Sequence, residues 1–370
     1  MNRRQFLRHS AVGAGALAVA TAQEAAPQPG IKVGLITHAG GTHLGIYYQS
    51  LAKIDEVQSV VLADPDGNAE AEARIALGDK LVKVYKDRVE LLAAEKPAMA
   101  LISVEAKVGP TAINAALDAG CHVFAEKPAC VSAEDFAQLA TKADAAKRHL
   151  MLALVNRVNS EAAEAKRLIA EGKIGKIYGV ELNMIQDQTR LTSESYHASW
   201  LADKGRAGGG HLTWLGIHWL DLAMFLTGSR IEQVAGFSGN VGGQPINTED
   251  SVAMTMRFDN GTFGTMTSGY YLDKGYQSHL KIWGSQGWLQ IESDTPETLR
   301  WYSTALEPPA VQTFVGPSGF DPYVTFLRSA VRACMGIEPP PITTQDSLHV
   351  LKTVFQTYRA AETGTTQRVE

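Results

Sequence analysis

The chain has 370 residues, a formal net charge of −5 and 20% charged residues, a composition typical of globular proteins with more than one core. It carries no basic stripe, so we do not expect nucleic acid as a partner. Beyond its N-terminal segment, no apolar run reaches the roughly 20 residues that a membrane span needs.

The first 30 residues have the features of an export signal followed by a linker. The run Asn2–Arg8, with two adjacent arginines, resembles a twin-arginine export motif, and an Ala/Gly-rich stretch, Ala11–Ala20, follows it. A small-x-small cleavage site stands at Ala20–Ala22. This order predicts export by the twin-arginine route and a mature chain that starts near Gln23, in the periplasm or another extracytoplasmic compartment.

Residues 31–150 alternate short apolar strands with helices, the α/β pattern of a parallel sheet with right-handed crossovers. Short, β-branched runs favour buried strands over buried helices. The predicted strands are Ile31–Ile36, Val57–Asp64, Ala98–Val104 and His122–Ala125, and the predicted helices are Ile46–Ile54, Ala69–Leu77 and Thr111–Ala119.

The loop after the first strand stands where a Rossmann domain has its GxGxxG phosphate-binding turn. Thr, Ala and Thr replace the three glycines, while Gly40 and Gly41 supply flexibility between them. Asp64 ends the second strand, where the acid that binds the ribose is expected. The candidate cofactor-binding residues of this region are Thr37, Ala39, Gly40, Gly41, Thr42, Asp64 and Ser103. The alternative, an α/β domain that no longer binds a dinucleotide, stays open on this motif alone.

The three cysteines are predicted to be buried thiols. Cys121, Cys130 and Cys334 show neither a CxxC nor a metal-type spacing. An exported chain that relied on disulfides would be expected to carry more cysteines, in even number.

The segment Ala207–Asp221 has a glycine run that leads into an apolar, Trp-rich helix with three polar side chains. Seven residues separate His211 from His218, which is close to two helical turns, so the two imidazoles are predicted to share one face. Asp221 follows one turn later. Polar groups aligned in an apolar helix indicate a ligand or a buried network; the alternative is that His218 is a hydrogen-bonded core histidine with Asp221 as its packing partner.

Several motifs together make the chain resemble the Gfo/Idh/MocA family, the group of glucose–fructose oxidoreductase and inositol dehydrogenase. The most specific is Ala119–Pro128, which ends in Glu126-Lys127-Pro128. The resemblance covers nearly all of the mature chain. Its other motifs are Asn156-Arg157, Ile174-Gly175, Gly208–Gly210, Gly216–His218, Glu249-Asp250, Phe258–Gly261 and Trp283–Gly287.

The resemblance implies a Rossmann domain at 31–150 and an α+β domain at 151–370 with a large, mostly antiparallel sheet. Asn260-Gly261 is a hairpin signal between two of its strands. The final helices, Pro322–Met335 and Thr344–Ala361, are predicted to return to the first domain, and the outer face of the sheet to form a homodimer or homotetramer. The strands predicted here are Tyr178–Asn183, Val234–Gly239, Ser251–Phe258, Gly261–Ser268, His279–Trp283 and Gly287–Ile291.

The resemblance also implies roles for individual residues. It places Lys127 beside the nicotinamide and the substrate hydroxyl, where burial would lower its pKa and let it move a proton. It gives His218 the role of general base. An aspartate that many members carry four residues before this histidine is Trp214 here, and His211 is predicted to replace part of the lost polarity. The further cofactor candidates are Glu126, Asn156 and Arg157, and the substrate candidates are Arg190, Tyr196, Trp200, Trp214 and Asp221.

The predicted function is that of an exported oxidoreductase that acts on a sugar or glycoside with a tightly bound NAD or NADP. The periplasm has no ready pool of free cofactor, so the cofactor has to be restored in each cycle, which favours transient oxidation followed by elimination and re-reduction. One alternative is a cofactor-independent or metal-assisted lyase or hydratase on a keto-sugar. His38 and His43 add metal-capable atoms to those of the helix, but a metal is not favoured. A non-catalytic sugar-binding protein is the other alternative.

Overall fold

The computed structural model describes residues 30–292 and 298–370. The predicted twin-arginine motif and the cleavage site at Ala20–Ala22 lie outside the described residues. Within the described ranges, no helix is both long and apolar enough to cross a bilayer.

The first half of the chain forms a six-stranded parallel sheet in the order β3-β2-β1-β4-β5-β6, which confirms the predicted Rossmann arrangement. The strands are β1 Ile31–Thr37, β2 Val57–Ala63, β3 Leu81–Tyr85, β4 Met99–Ser103, β5 His122–Ala125 and β6 Leu150–Leu152. The helices are α1 Leu44–Lys53, α2 Glu70–Leu77, α3 Arg88–Glu95, α4 Gly109–Asp118 and α5 Ala133–Ala145.

The second half forms a nine-stranded mixed sheet in the order β14-β13-β12-β11-β7-β10-β9-β8-β15. Among the strand pairs of the described residues, β7–β10 alone is parallel, which agrees with the predicted mostly antiparallel sheet. The helices are α6 Ser160–Ala170, α7 Glu194–His197, α8 Lys204–Ala207, α9 Ile217–Thr227, α10 Pro322–Cys334 and α11 Thr344–Thr363. The strands are β7 Ile177–Asp187, β8 Ile231–Gly239, β9 Ser251–Phe258, β10 Phe263–Leu272, β11 Tyr276–Gly284, β12 Gly287–Glu292, β13 Leu299–Ser303, β14 Val311–Phe314 and β15 Gln367–Arg368.

The two sheets are buried in different ways, and their sequences show why. All five residues of β4 are buried, because helices cover both faces of a parallel sheet and favour uniformly apolar strands. β9 and β10 alternate buried and exposed positions instead, so one face of the second sheet packs inward. The outer face leaves Phe237 80% exposed and Phe263 62% exposed.

The C-terminal helix α11 returns to the first domain, as predicted. It packs against α5, β6 and β8. The backbone N–H groups of Leu150 and Leu152, on the edge strand β6, donate to the hydroxyls of Thr344 and Ser347 at 3.1 and 3.2 Å. Side chains of α11 thus cover a sheet edge that would otherwise be open, and they join the two halves of the molecule.

The helical segment around His218 differs from the prediction in its geometry. Leu212–Gly216 is a π-helix, and the α-helix α9 begins only at Ile217. A π-helix has wider turns than an α-helix, so the spacing that placed His211 and His218 on one face does not apply. Elsewhere the prediction missed short or polar elements, including β3, α3 and α5.

Candidate active site

Lys127 is buried at the carboxyl end of β5, where the two halves of the molecule meet. Lys127 is 3% exposed to solvent. Nζ donates to the backbone oxygen of Trp214 at 2.6 Å and lies 3.3 Å from the centroid of the Trp214 ring. Burial lowers the pKa of Lys127 to about 7, with Glu126 opposing the shift and the charge of Arg190 adding to it. The side chain therefore exchanges a proton near neutral pH, as the resemblance implied.

The Glu126 carboxylate is hydrogen-bonded to one side chain of α1 and to one at the N-cap of that helix. Its Oε2 atom accepts from the Tyr47 hydroxyl and is hydrogen-bonded to His43 Nδ1 at 2.9 Å. Burial raises its pKa, but the hydrogen bond and charge of His43 and the charge of Lys127 hold it below the usual value. The His43 ring in turn stacks on Trp214, with centroids 5.8 Å apart. This arrangement keeps Glu126 ionised and places a second imidazole beside Lys127.

His218 lies in the same cluster and is neutral at physiological pH. Burial lowers its pKa well below the usual value, and the charges of Lys127 and His43 lower it further. Its Nδ1 atom is buried and has no hydrogen-bond partner among the described residues. A buried ring nitrogen of this kind is unusual in a packed interior, so His218 is available to a bound molecule and does not behave as a satisfied core histidine.

His211 has a different set of neighbours from His218. It is fully buried, its Nδ1 atom is 2.7 Å from Ser268 Oγ, and its ring meets Tyr270 edge-on at 4.4 Å. Burial lowers its pKa to about 3, with a contribution from Arg190. His211 is therefore a neutral group on the floor formed by β10, one side of the same site.

The glycine run before this helix is held by Glu249. The carboxylate accepts from the N–H groups of Gly210 and Leu212 at 2.5 and 3.0 Å and from the Tyr358 hydroxyl at 2.7 Å. A Cβ on Gly210 would lie 1.9 Å from the backbone oxygen of Glu249, so only glycine allows this approach. A carboxylate at the first helical N–H groups also stabilises the helix start, which fixes the position of the histidines.

The β1–α1 loop is tied both to the first sheet and to the second domain. Thr37 Oγ1 donates to the Ser103 carbonyl at 2.8 Å, and Ser103 Oγ bonds both the N–H and the carbonyl of Thr42. Trp200 Nε1 donates to the Gly40 carbonyl at 2.9 Å, and its ring meets Trp214 edge-on. The predicted cofactor loop and the predicted substrate tryptophans therefore lie against each other.

Three predicted site residues lie in the helical segments behind this cluster. Arg157 and Asp221 form a buried bidentate ion pair, with contacts of 2.8 and 2.6 Å, and Arg157 also reaches Asp346. Asp221 is 1% exposed and both of its oxygens accept from Arg157, so the predicted contact with a substrate has no accessible oxygen. Asn156 is half-buried in the same short helix as Arg157.

A row of polar side chains crosses the inner face of the second sheet. Tyr270 and Tyr276 stand on either side of Gln186 in the strand register, and Gln186 Nε2 donates to the Tyr276 hydroxyl at 2.6 Å. Arg190 follows β7 directly, with its Cζ atom 6.0 Å from the Trp214 ring. Tyr196 lies near both Arg190 and Tyr270, and its pKa is raised mainly by burial.

Comparison with known proteins decides the family. Residues 31–154 match the model of the oxidoreductase family with an NAD-binding Rossmann fold, and residues 162–290 match the GFO/IDH/MocA C-terminal domain. The chain belongs to the Gfo/Idh/MocA oxidoreductase family.

Named relatives have low sequence identity to this chain, but their alignments cover much of its length. Myo-inositol 2-dehydrogenase of Thermotoga maritima is 21% identical over 88% of this chain and 95% of its own. D-glucoside 3-dehydrogenase of Escherichia coli is 24% identical over 61% of this chain and 63% of its own. The crystal structure of levoglucosan dehydrogenase with NADH and L-sorbose superposes with a TM-score of 0.82, covering 93% of this chain and all of that one at 19% identity.

The NAD-binding domain of this Gfo/Idh/MocA protein fits a dinucleotide at the start of α1. The His43 side chain does not cap that helix, so its first N–H groups are open to phosphate. Gly41 is required there, because a Cβ would lie 2.1 Å from Thr37 Oγ1. The N–H groups of the preceding loop already have acceptors: Ala39 donates to Asp66, Gly40 and Gly41 donate to His38, and Thr42 donates to Ser103.

Asp64 does not have the surroundings expected for a ribose-binding acid. It is fully buried, and its two oxygens accept from the N–H groups of Gly67, Ala69 and Glu70 at 2.9 to 3.1 Å. These bonds start α2 and leave no exposed oxygen for a ligand. The exposed carboxylate of this turn is Asp66, two residues later.

Several residues of the site were not predicted. Tyr47 and Tyr270 carry no motif signal for a ligand, Glu249 was identified only as part of a family motif without a role, and His43 was considered only as a metal-capable residue. The described residues hold no group of three or more His, Cys, Asp or Glu side chains arranged to bind a metal ion. The three cysteines are free, with Cys121 and Cys130 buried and Cys334 partly so.

Proposed function

We propose that this chain is an exported oxidoreductase that acts on a sugar or glycoside and keeps its nicotinamide cofactor bound through turnover. The observation that carries the proposal is the buried Lys127, whose pKa lies near neutral, whose Nζ atom contacts Trp214, and whose charge lowers the pKa of His218. Two neutral bases beside an aromatic wall suit a hydroxylated ring. Related proteins act on inositol and glucosides according to their names.

Lys127 would take the proton of the substrate hydroxyl. With a pKa of about 7, a large fraction of Lys127 is neutral at physiological pH, and a neutral amine accepts a proton where an ammonium cannot. Bound NAD supplies the hydride acceptor for the carbon that carries this hydroxyl. Trp214 and Trp200 contribute flat apolar surfaces that exclude water from the ring face.

His218 would serve a second proton transfer. Oxidation of one ring carbon to a ketone would acidify the C–H bond beside it. The free Nδ1 atom of His218 would accept that proton while the aglycone leaves with the electrons of its C–O bond and takes the proton held by Lys127. Addition of water across the resulting C=C bond, and return of the hydride to the ketone with the proton of His218, would complete the cycle with the cofactor in its starting state. This sequence needs no external supply of oxidised cofactor, which suits a protein exported after folding.

Export is proposed from the sequence of residues 1–22. A twin-arginine motif, an apolar stretch and a cleavage site follow one another in the required order. The test is fractionation of cells that produce the full chain, compared with a variant in which Arg3 and Arg4 are both changed to Lys. Processing and export of the parent but not of the variant are expected; equal cytoplasmic retention of both would contradict the route.

The function is tested by mass spectrometry of the purified chain and by turnover. We expect a nucleotide to be released on denaturation. Levoglucosan, myo-inositol and methyl β-D-glucoside serve as probes, each with deuterium on the ring carbons. Transient oxidation returns the deuterium to the ring carbon that was oxidised and exchanges the deuterium of the neighbouring carbon with solvent. Net oxidation leaves the deuterium on reduced cofactor.

Lys127→Met and His218→Gln are expected to remove turnover and leave the nucleotide bound. His279→Gln is the matched control, because His279 pairs with Glu181 on the second sheet. Absence of nucleotide binding, or full activity of both site variants, would refute the proposal.

A further inference from the structure

We propose that Arg190 selects a sugar that carries a carboxylate, so that the substrate class is a sugar acid or its glycoside. The inference rests on the proposed function, because it concerns the substrate of the same site. It depends on an unpaired guanidinium, on nearby acids that already have partners, and on neutral polar atoms that remain without one.

The guanidinium of Arg190 lies inside the site without an ionic partner. Its Nη1 atom is buried and makes no hydrogen bond, and none of the ion pairs within residues 30–292 and 298–370 includes it. Its Cζ atom lies 6.0 Å from the same Trp214 ring that carries Lys127 Nζ at 3.3 Å. A buried charged donor without a partner is costly, and an anionic ligand supplies the missing acceptor.

The carboxylates closest to Arg190 are engaged elsewhere. Asp187, three residues earlier, accepts from the N–H groups of Thr189 and Gly275 at 3.0 and 2.9 Å. Glu249 is bonded to the glycine run and to a tyrosine hydroxyl, and Glu126 is bonded to His43. Each acid thus has its own donors, and none of them forms an ion pair with Arg190.

The neutral groups around Arg190 suit hydroxyls. Gln186 Oε1 is buried without a hydrogen-bond partner. The Tyr270 hydroxyl is buried without a partner of ordinary length and angle, but it lies within hydrogen-bonding reach of the Arg190 and Tyr196 side chains. Gln186 and Tyr270 are 7% and 4% exposed. One acceptor, one hydroxyl and the free ring nitrogens of His211 and His218 match the alternating donors and acceptors of a sugar ring.

A carboxylate fits this arrangement better than a phosphate. The planar guanidinium binds a planar carboxylate through two parallel N–H···O bonds. A phosphate dianion would need a second fixed cation, and Lys127, the other cation beside this ring, is placed to exchange a proton with the substrate. We therefore assign the carboxylate to the Arg190 side and the reacting hydroxyl to the Lys127 side of Trp214.

The experiment measures binding to the NAD-loaded full chain by calorimetry, with D-glucuronate, D-glucose and D-glucose 6-phosphate as probes. Glucuronate is expected to bind about 10- to 100-fold more tightly than glucose, the range of a charge-assisted hydrogen-bonded pair. Arg190→Gln should abolish this preference while glucose affinity changes little. Arg190→Lys should keep part of it, and Arg359→Gln, at an exposed position on α11, should keep all of it.

Each outcome bears on the inference separately from the proposed function. Equal affinity for glucuronate and glucose, a preference that survives Arg190→Gln, or stronger binding of the phosphate than of the carboxylate would overturn the carboxylate assignment. Hydride transfer to a neutral sugar with no acid preference would leave the proposed function standing and the inference refuted. Binding of glucuronate that depends on Arg190, without oxidation of any sugar, would support the carboxylate assignment and refute the proposed function.

Discussion

Lys127→Met should make the protein more stable while it removes turnover. The native lysine is buried beside a tryptophan ring and titrates at about 7, so at low pH the folded state holds a proton on an amine surrounded by apolar groups. Methionine has a similar length, carries no charge and adapts to irregular space. The substitution therefore removes the cost of burying an ammonium group.

The magnitude follows from the shift of the lysine pKa from 10.5 to about 7. A shift of that size corresponds to at most about 5 kcal/mol of destabilisation by the charged form. Because the folded pKa lies below the unfolded one, this cost is fully present below pH 7 and is relieved as the pH rises from 7 towards 10.5. Between pH 6 and pH 9 the contribution of Lys127 should change by about 2.5 kcal/mol in favour of the folded state.

Urea unfolding of the parent and of Lys127→Met at pH 6 and at pH 9 measures this difference. The difference in free energy of unfolding between the variant and the parent should be about 2.5 kcal/mol larger at pH 6 than at pH 9. Lys107→Met, at an exposed position, controls for the loss of a positive charge. Parallel pH dependence of the parent and Lys127→Met would refute the assignment of a low pKa to Lys127.

Three further substitutions test other parts of the structure. Asp221→Asn should lower the free energy of unfolding by about 3 kcal/mol, because it removes the bidentate charge partner of the buried Arg157 and leaves only the longer contact to Asp346; a loss below about 1 kcal/mol in urea unfolding would contradict this. Asp64→Ala should cost about 2 kcal/mol through the lost start of α2 yet leave the NAD dissociation constant nearly unchanged, whereas a large loss of NAD affinity would restore its ribose role. Phe237→Asp should convert a dimer or tetramer to monomers in sedimentation velocity, and a monomeric parent protein would contradict the predicted oligomer.

The spacing of apolar residues along the chain made most of the strands and helices predictable. β5 was predicted with its observed bounds, and the alternation within β9 marked a strand with one covered face. β3, with the sequence LVKVY, has only its two end residues buried, so its local pattern resembles neither strand type. The π-helix at Leu212–Gly216 was not predicted, because its apolar sequence is equally compatible with an α-helix.

The site was predictable only where a motif named its residues. Lys127 and His218 were found through resemblance, and the structure brings them together. His43 and Tyr270 reach the same place from two distant segments, and nothing in a local pattern shows that these segments meet. Asp64 was predicted to bind a ribose, but in the structure it starts α2. An aspartate at the end of a strand can serve either purpose, and the local pattern does not distinguish them.

Burial is the main reason why the pKa of Lys127 lies near neutral, and Trp214, in the place of an aspartate, adds no negative charge to oppose it. A carboxylate about 4 Å from the ammonium would stabilise the charged form by about 4 kcal/mol at an effective dielectric constant of about 20, which is about three pKa units. With Trp214 at this position, Lys127 has a ring face and a backbone carbonyl as neighbours instead. Both accept a hydrogen bond or a cation, but neither carries the full charge that would hold the proton in place. An aspartate at this position would add to the opposing charge of Glu126, whereas Trp214 leaves the effect of burial dominant.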